Sequence, residues 1–467
     1  MPVQTHTFPN GFRIIYEKSK NIIPITSFYV ICDVGSIHEP AHLRGVSHFI
    51  EHMCFKGTQK IPLAKDLFIE YDKIGAEFNA FTTKRFTAYT VKCGSQYINH
   101  CINILSDMIL NSTFNKKEYE KEHNVVIEEN TIDENDYEEL IYDYSDKLLY
   151  NGSSYEEPVD NLANHTIKNS LPYKEVIDYY NTFYKQNRMI LSIVTDKSFD
   201  EIQKMLSSTY YLKSPKYYPY LPRPETYIVN NLLRPQNNIQ YKLEHKRGVE
   251  HILLTIGFKV CGYNSVDRYK LNLLKELLGG GMSGRLFMIL REDNGLTYST
   301  NVTTEYFEQI GDFTIFTQTD KHTIIKNGQK NGQKNGQKNG QKNGQKNGQK
   351  GVLPIMVDII NDLIKNGITE KELNTVKGYL KGNMLLELED LDNQVEYNSK
   401  EFLMSQDINK IIPYEQLYDT VYKNISKEDI HKTIKKYFKV ENMCVCILGE
   451  DIPSLAMVEK VFQKIIS

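Results

Sequence analysis

The chain has no tryptophan, no CxxC pair, no surplus of positive charge and no apolar run near the ~18 residues that a membrane helix needs. The last of these absences excludes a membrane span. The charge balance excludes more: 56 Lys and Arg against 59 Asp and Glu leave a formal net charge of −3 in 467 residues. A protein that holds nucleic acid by neutralising phosphates needs a basic surplus, so a nucleic-acid partner is not expected. The seven cysteines, at 32, 54, 93, 101, 261, 444 and 446, form an odd and scattered set. That argues for reduced thiols in a reducing intracellular compartment. Met1 to Lys18 carries neither an apolar signal core nor an Arg-rich amphipathic leader, so no secretory or organellar address is expected and the cytoplasm is the default. The lack of Trp beside 32 Tyr looks like coding bias and carries no function.

What is present is ordinary for a globular protein: 40% hydrophobic and 25% charged residues, in a chain long enough for two or three domains. Two stretches break it. KSPKYYPYLPRPE (213–225) holds four prolines, which deny donors to helix and sheet alike, and reads as an inter-domain linker. It divides residues 1–212 from residues 226–467. Lys326 to Gln349 repeats Lys-Asn-Gly-Gln, closed by Lys350 and Gly351, with no apolar residue in the tract (326–351). It reads as a solvated loop insertion, with a basic docking tether as the alternative.

The two halves share an order of elements. In the first, strands are expected at 11–17, 25–34, 77–81, 87–93 and 189–194. Helices are expected near 43–55 and 64–74, followed by a long acidic one over 116–149. In the second, strands are expected at 252–260, 299–308, 312–317 and 443–448, with helices at 265–278 and 285–292. Interleaved strands and helices with hairpins beside them predict an α+β fold: two related α/β domains, each a mixed sheet with helices packed on it.

The sharpest chemical signal is His48-Phe49-Ile50-Glu51-His52. Phe49, Ile50, Met53 and Phe55 give the segment an apolar body, and Gly57 is placed to end a helix. Four apart on a helix, His48 and His52 share a face and suit a Zn²⁺ ion. Glu51 is too crowded to be the natural third ligand and is better placed as a base for metal-bound water, the H-x-x-E-H order. The alternative is a helix that merely carries these three residues. A third ligand would strengthen the zinc reading, and the acidic helix offers candidates. Seven residues at ~100° each bring Glu122 and Glu129 within about 20° of one another. One can bind metal and the other can orient a histidine. Spacing alone leaves Glu128 and Glu129 both open.

HFIEHMCFKGT (48–58), NAFTTKRFTAY (79–89), VVIEE (125–129) and LGGGMSGRLFMILREDNGLTYS (278–299) resemble the pitrilysin and mitochondrial processing peptidase family of zinc peptidases. The likeness is closest to its short branch, the processing-peptidase β subunit and bacterial relatives, and covers nearly the whole chain outside the repeat tract. It implies one Zn²⁺ per chain held by His48, His52 and Glu129, with Glu122 as the partner that orients a ligand and Glu51 as catalytic base. It implies that substrate lies along the strand holding Asn79, Ala80 and Phe81. Arg291 and Tyr298 match a pair that reaches over to the zinc site, and a cation and a phenol suit a developing oxyanion. From sequence alone that pair would be ordinary surface and core residues.

The expected function is therefore zinc-dependent endopeptidase activity on peptides or unfolded, presequence-like segments held as an added strand and cleaved by metal-activated water. A dead scaffold and a subunit active only in a heterodimer are the rivals, and a homodimer is also open. Lys84 and Arg85 stand where relatives often carry acidic or neutral residues, which predicts altered preferences near the cleft. The segment 153–166 lacks the glycine-containing pattern usual there. Gly279, Gly280 and Gly281 lack the Lys-Ser/Thr of a phosphate loop and read as a helix-ending turn. Cys444 and Cys446 alternate with Val445 in a strand and read as core.

Overall fold

The computed structural model describes residues 3–133, 136–159, 171–213, 236–325, 350–405, 407 and 411–466. The expected linker, apart from Lys213, and the Lys-Asn-Gly-Gln tract up to Gln349 lie outside them. The chain forms two compact units, and each contains a short piece from the other's half of the sequence: unit 1 is Met1–Asp136, Gly152–Leu232 and Lys381–Thr420, and unit 2 is Tyr137–Asn151, Leu233–Leu380 and Val421–Ser467.

Unit 1 is built on strands β1 (Gln4–Thr7), β2 (Arg13–Lys18), β3 (Ile25–Cys32), β4 (Glu77–Thr82), β5 (Thr87–Gly94) and β6 (Met189–Thr195), in the order β1-β2-β6-β3-β5-β4. β2 and β6 are parallel, and the other neighbours are antiparallel. Helices α1 (Val46–Cys54), α2 (Ala64–Asp72), α3 (Ile98–Leu110) and α4 (Lys116–Asp133) belong to this unit. A core with Phe28, Val30, Phe49, Tyr71, Tyr89 and Leu191 fills the space between sheet and helices. The other face is covered by helix Leu391–Ser405, whose Leu391, Val395 and Phe402 pack with Ile15, Tyr29 and Ile31. Asn398 donates to Glu17 Oε2 at 2.7 Å, and Lys92 pairs with Asp390 at 2.7 Å, so polar contacts fasten the same layer.

Unit 2 has β7 (Gln240–His245), β8 (Ile252–Cys261), β9 (Thr297–Tyr306), β10 (Ile310–Thr319) and β11 (Met443–Gly449), in the order β7-β11-β8-β10-β9. β7 runs parallel to β11, and the other pairs are antiparallel. Without β1, the first sheet has the same topology, strand for strand, so the two α/β domains are related as the shared element order predicts. Cys444 and Cys446 are buried in β11, as core residues.

Four expectations change. The helix expected over 116–149 is two, α4 and α5 (Tyr137–Leu149), and they fall in different units. α5 buries Ile141, Ser145 and Leu149, one residue per turn, and Ser145 Oγ lies 2.7 Å from Thr255 Oγ1 of β8. A stripe with its own sheet to cover departs from α4, which serves unit 1. The division at residue 212 is displaced for the same reason, because α5 and Leu391–Ser405 are the covering layers of the other half's sheet. Strands β1 and β7 escape the sequence pattern because they are short, polar edges with little burial. The helix expected over 285–292 is wound as a π-helix, Phe287–Asp293. Among the described residues no helix is long and apolar enough to cross a membrane.

Candidate metal centre

α1 is amphipathic in the way its sequence predicts. Val46, Phe49, Ile50 and Met53 are fully buried, which turns His48 and His52 toward the opposite, partly exposed face. Its first turn is held by a residue the motif does not contain. Glu39 accepts hydrogen bonds from the backbone N–H groups of Gly45 and Ser47, each at 2.7 Å, in place of an ordinary capping side chain. Burial pushes the Glu39 carboxyl up to about 7, against the lowering effect of those same hydrogen bonds. α1 ends at Cys54, and the chain turns at Gly57, where φ is +119° and a Cβ would lie 2.3 Å from the Pro62 carbonyl oxygen.

α4 packs on α1 through Tyr119, whose ring meets Phe49 edge-on at 4.8 Å, and through buried His123 and Val126. That phase carries Glu122 inward to 3% exposure, leaves Glu129 half-buried and points Glu128 into solvent. The structure thus distinguishes the two glutamates that spacing left open. His52 Nδ1 donates to Glu122 Oε1 at 2.9 Å, and Lys56 Nζ lies 2.7 Å from Glu122 Oε2. Burial alone would raise the Glu122 carboxyl, but the hydrogen bonds from His52 and Lys56 outweigh it and hold it below the ordinary glutamate value.

With its proton on Nδ1, His52 directs the lone pair of Nε2 outward. There it meets His48 Nε2 at 3.0 Å and Glu129 Oε2 at 3.5 Å. One ligand atom from each of His48, His52 and Glu129 lies within 4.8 Å of the others, the one such cluster among the described residues. Ring lone pairs and a carboxylate converging on one point repel unless a cation or proton lies among them, and two nitrogens with one oxygen suit Zn²⁺. These residues fit the metal.

Glu51, on the same helix, is not one of the three clustered groups. It is 7% exposed, and its Oε2 accepts a hydrogen bond of 2.6 Å from Thr82 Oγ1 at the end of β4. β4 is an edge: among the described residues it pairs with β5 alone. Asn79, Ala80 and Phe81 lie on it, Asn79 exposed and Phe81 edge-on to Tyr29 at 6.3 Å. Arg291 and Tyr298 fall in unit 2, on the π-helix and β9, where Arg291 Nη1 donates to the Tyr298 carbonyl at 3.4 Å. Both side chains are exposed, so Tyr298 is not the core residue its sequence context suggests.

Lys84 and Arg85 are not cleft residues. Both are buried: Lys84 Nζ donates to the Tyr155 carbonyl at 2.7 Å, and Arg85 pairs with buried Asp33. Their chemistry is spent inside unit 1, which corrects the expectation that they alter preferences near a cleft. Glu39, Lys56 and Thr82 are the site residues that sequence reading missed. Lys56 lies just past the end of α1, and all three act through loop and strand placement that no period reveals.

Removing the support of His52 tests its role directly. Glu122→Gln is expected to lower zinc affinity about 10–100-fold, as changes to ligand-orienting partners do. Lys56→Met, which leaves the His52 hydrogen bond in place, should lower it by less. Titration of metal-free protein with Zn²⁺ measures both, and unchanged affinity in Glu122→Gln would show that the carboxylate does not orient His52.

Comparison with known proteins bears on the whole chain. The family model described as Insulinase (Peptidase family M16) matches residues 14–161, and that described as Peptidase M16 inactive domain matches residues 170–380. The first span contains His48, Glu51, His52, Glu122 and Glu129. The Bacillus subtilis protein named uncharacterized zinc protease YmxG is 28% identical over 405 residues, 86% of this chain and 88% of its own. The β subunit of mitochondrial-processing peptidase from Caenorhabditis elegans is 31% identical over 199 residues, 43% of this chain and 42% of its own. The solved structure of a protease from Helicobacter pylori matches with a TM-score of 0.79 at 19% identity, over 96% of this chain and 99% of that one. The periplasmic protease PqqL from Escherichia coli matches with a TM-score of 0.73 at 14% identity, over 99% of this chain and 50% of that one. At such identities the structures speak for the fold alone, while the sequence relatives support a peptidase function of the metallopeptidase class. With both family matches in chain order and together spanning most of the chain, the chain belongs to peptidase family M16, the insulinase/pitrilysin family.

Proposed function

We propose that this protein is a zinc-dependent endopeptidase that cleaves peptides or unfolded segments laid against β4. The observation that carries the reading is the convergence of His48 Nε2, His52 Nε2 and a Glu129 carboxylate oxygen, with His52 held from behind by Glu122. His48, His52 and Glu129 would hold one Zn²⁺. When bound, the ion supplies a Lewis acid and makes water a nucleophile near neutral pH.

The chain's own residues do the rest. An extended substrate adds to the open edge of β4 beside Asn79, Ala80 and Phe81, where backbone hydrogen bonds bind without demanding one sequence. Glu51 takes the proton as water attacks the scissile carbonyl, then passes it to the leaving amine, so the peptide C–N bond breaks and no net proton is consumed. Arg291 and Tyr298 are assigned as donors to the oxygen that gains charge. In support, both match the family's pair and both are exposed residues. Partnership with a second copy or a related subunit belongs to this reading too, because the Caenorhabditis elegans relative is itself one subunit of a processing peptidase.

Zinc content of the purified chain, with cleavage-site mapping of a peptide library, tests the function. A chain that binds zinc and cuts flexible peptides internally is expected; one that does neither would overturn it. Arg291→Ala and Tyr298→Phe should each lower kcat about 10²–10³-fold with zinc content unchanged, the usual cost of one oxyanion donor. Normal kcat in both would remove the pair from the mechanism.

A further inference from the structure

We infer that Thr82 is the positioning residue of the base, so that the strand edge offered to substrate also sets the orientation of Glu51. The inference rests on the reading of Glu51 as base. A glutamate has three rotatable bonds, and proton transfer needs its carboxylate in one place. Here Thr82 Oγ1 donates to Glu51 Oε2 at 2.6 Å, within the range of strong hydrogen bonds to carboxylates. One carboxylate oxygen is thereby fixed, and with it the plane in which the group can take a proton.

The donor is rigidly mounted. Thr82 is β-branched, which stiffens its first side-chain torsion, and it closes β4 opposite Thr87 of β5. The turn that follows is tied at each residue. Thr83 Oγ1 accepts from the N–H groups of Arg85 and Phe86, at 3.1 and 2.9 Å, and donates to the Phe86 carbonyl at 2.8 Å. Arg85 is anchored on Asp33 and Lys84 on the Tyr155 carbonyl. Gly35 lies so close beneath that a Cβ there would stand 2.3 Å from the Thr83 carbonyl oxygen. Two buried cations beside a tight turn have no use in substrate recognition, but they hold the end of β4 still. α1 carries Glu51, β4 carries its hydrogen-bond donor, and a substrate strand added to β4 would meet a base set from that same strand.

The test is a set of full-length variants assayed on a peptide that the wild type cleaves. Thr82→Val keeps shape and branching but removes the donor, and is expected to lower kcat about 10–100-fold while KM and bound zinc stay near wild type. Thr82→Ser, which restores the hydroxyl, should recover most of kcat. In a Glu51→Gln background, Thr82→Val should cost nothing further, because the two act as one unit. Thr82→Ala removes the same donor without a methyl pressed against the carboxylate, and decides the matter if the valine variant does not fold. Wild-type kcat in the variants lacking the hydroxyl, failure of serine to rescue, or an equal loss in the Glu51→Gln background would each overturn the assignment. A wild type that cleaves no peptide, or Glu51→Gln cleaving at full rate, would instead bring down the endopeptidase reading beneath it.

Discussion

Glu51→Gln should retain its zinc and lose about 10²–10⁴-fold in turnover, the range that a positioned general base contributes. The substitution is nearly isosteric, and the amide oxygen can still accept the hydrogen bond that Thr82 gives to Glu51 Oε2. Nothing in the packing of α1 has to move, since Phe49, Ile50 and Met53 remain as they are on its buried face. What disappears is the ability to take a proton from water and return it to the amine. Metal analysis alongside kcat on a fluorogenic peptide separates the two roles open to this residue. Loss of the metal would make Glu51 a ligand, and normal turnover would remove it from the chemistry altogether.

Glu129→Gln should weaken zinc binding by more than the about 100-fold upper range for an orienting partner, because it removes a direct anionic donor. Glu128→Gln, one residue earlier, should leave affinity near wild type. The two side chains are chemically identical and adjacent, so charge and helix propensity cancel in the comparison. They differ in where α4 points them: Glu129 Oε2 lies 3.5 Å from His52 Nε2, whereas Glu128 is exposed. Competition with a chelator of known affinity reads the difference. Equal losses at the two positions would mean that the phase of α4 against α1 is not what holds the metal.

The parts of the site that were legible in the sequence are those in which spacing along one helix decides the geometry. His48 and His52 share a face because 3.6 residues make a turn, and Glu51 is set beside them by the same arithmetic. Glu122 and Glu129 fall on one face of α4 for that reason also. The two related domains were legible as well, since a buried strand such as Met189–Thr195 or Met443–Gly449 announces itself by an apolar run. Lys84 and Arg85 were read from their departure from the pattern of relatives, and only the fold shows Asp33 and the Tyr155 carbonyl as their partners.

Two strand-and-helix domains and a histidine pair with its glutamate are thus products of local period and burial. Which acidic residue meets the histidines, that Lys56 and Thr82 serve the site, and that α5 and Leu391–Ser405 cover the sheets of the other halves follow from the packed fold alone. The difference is one of range. A helix face is set by residues a turn apart, but the partner of that face is set by which apolar stripe it buries, and that partner stands tens to hundreds of residues away with no spacing to mark it.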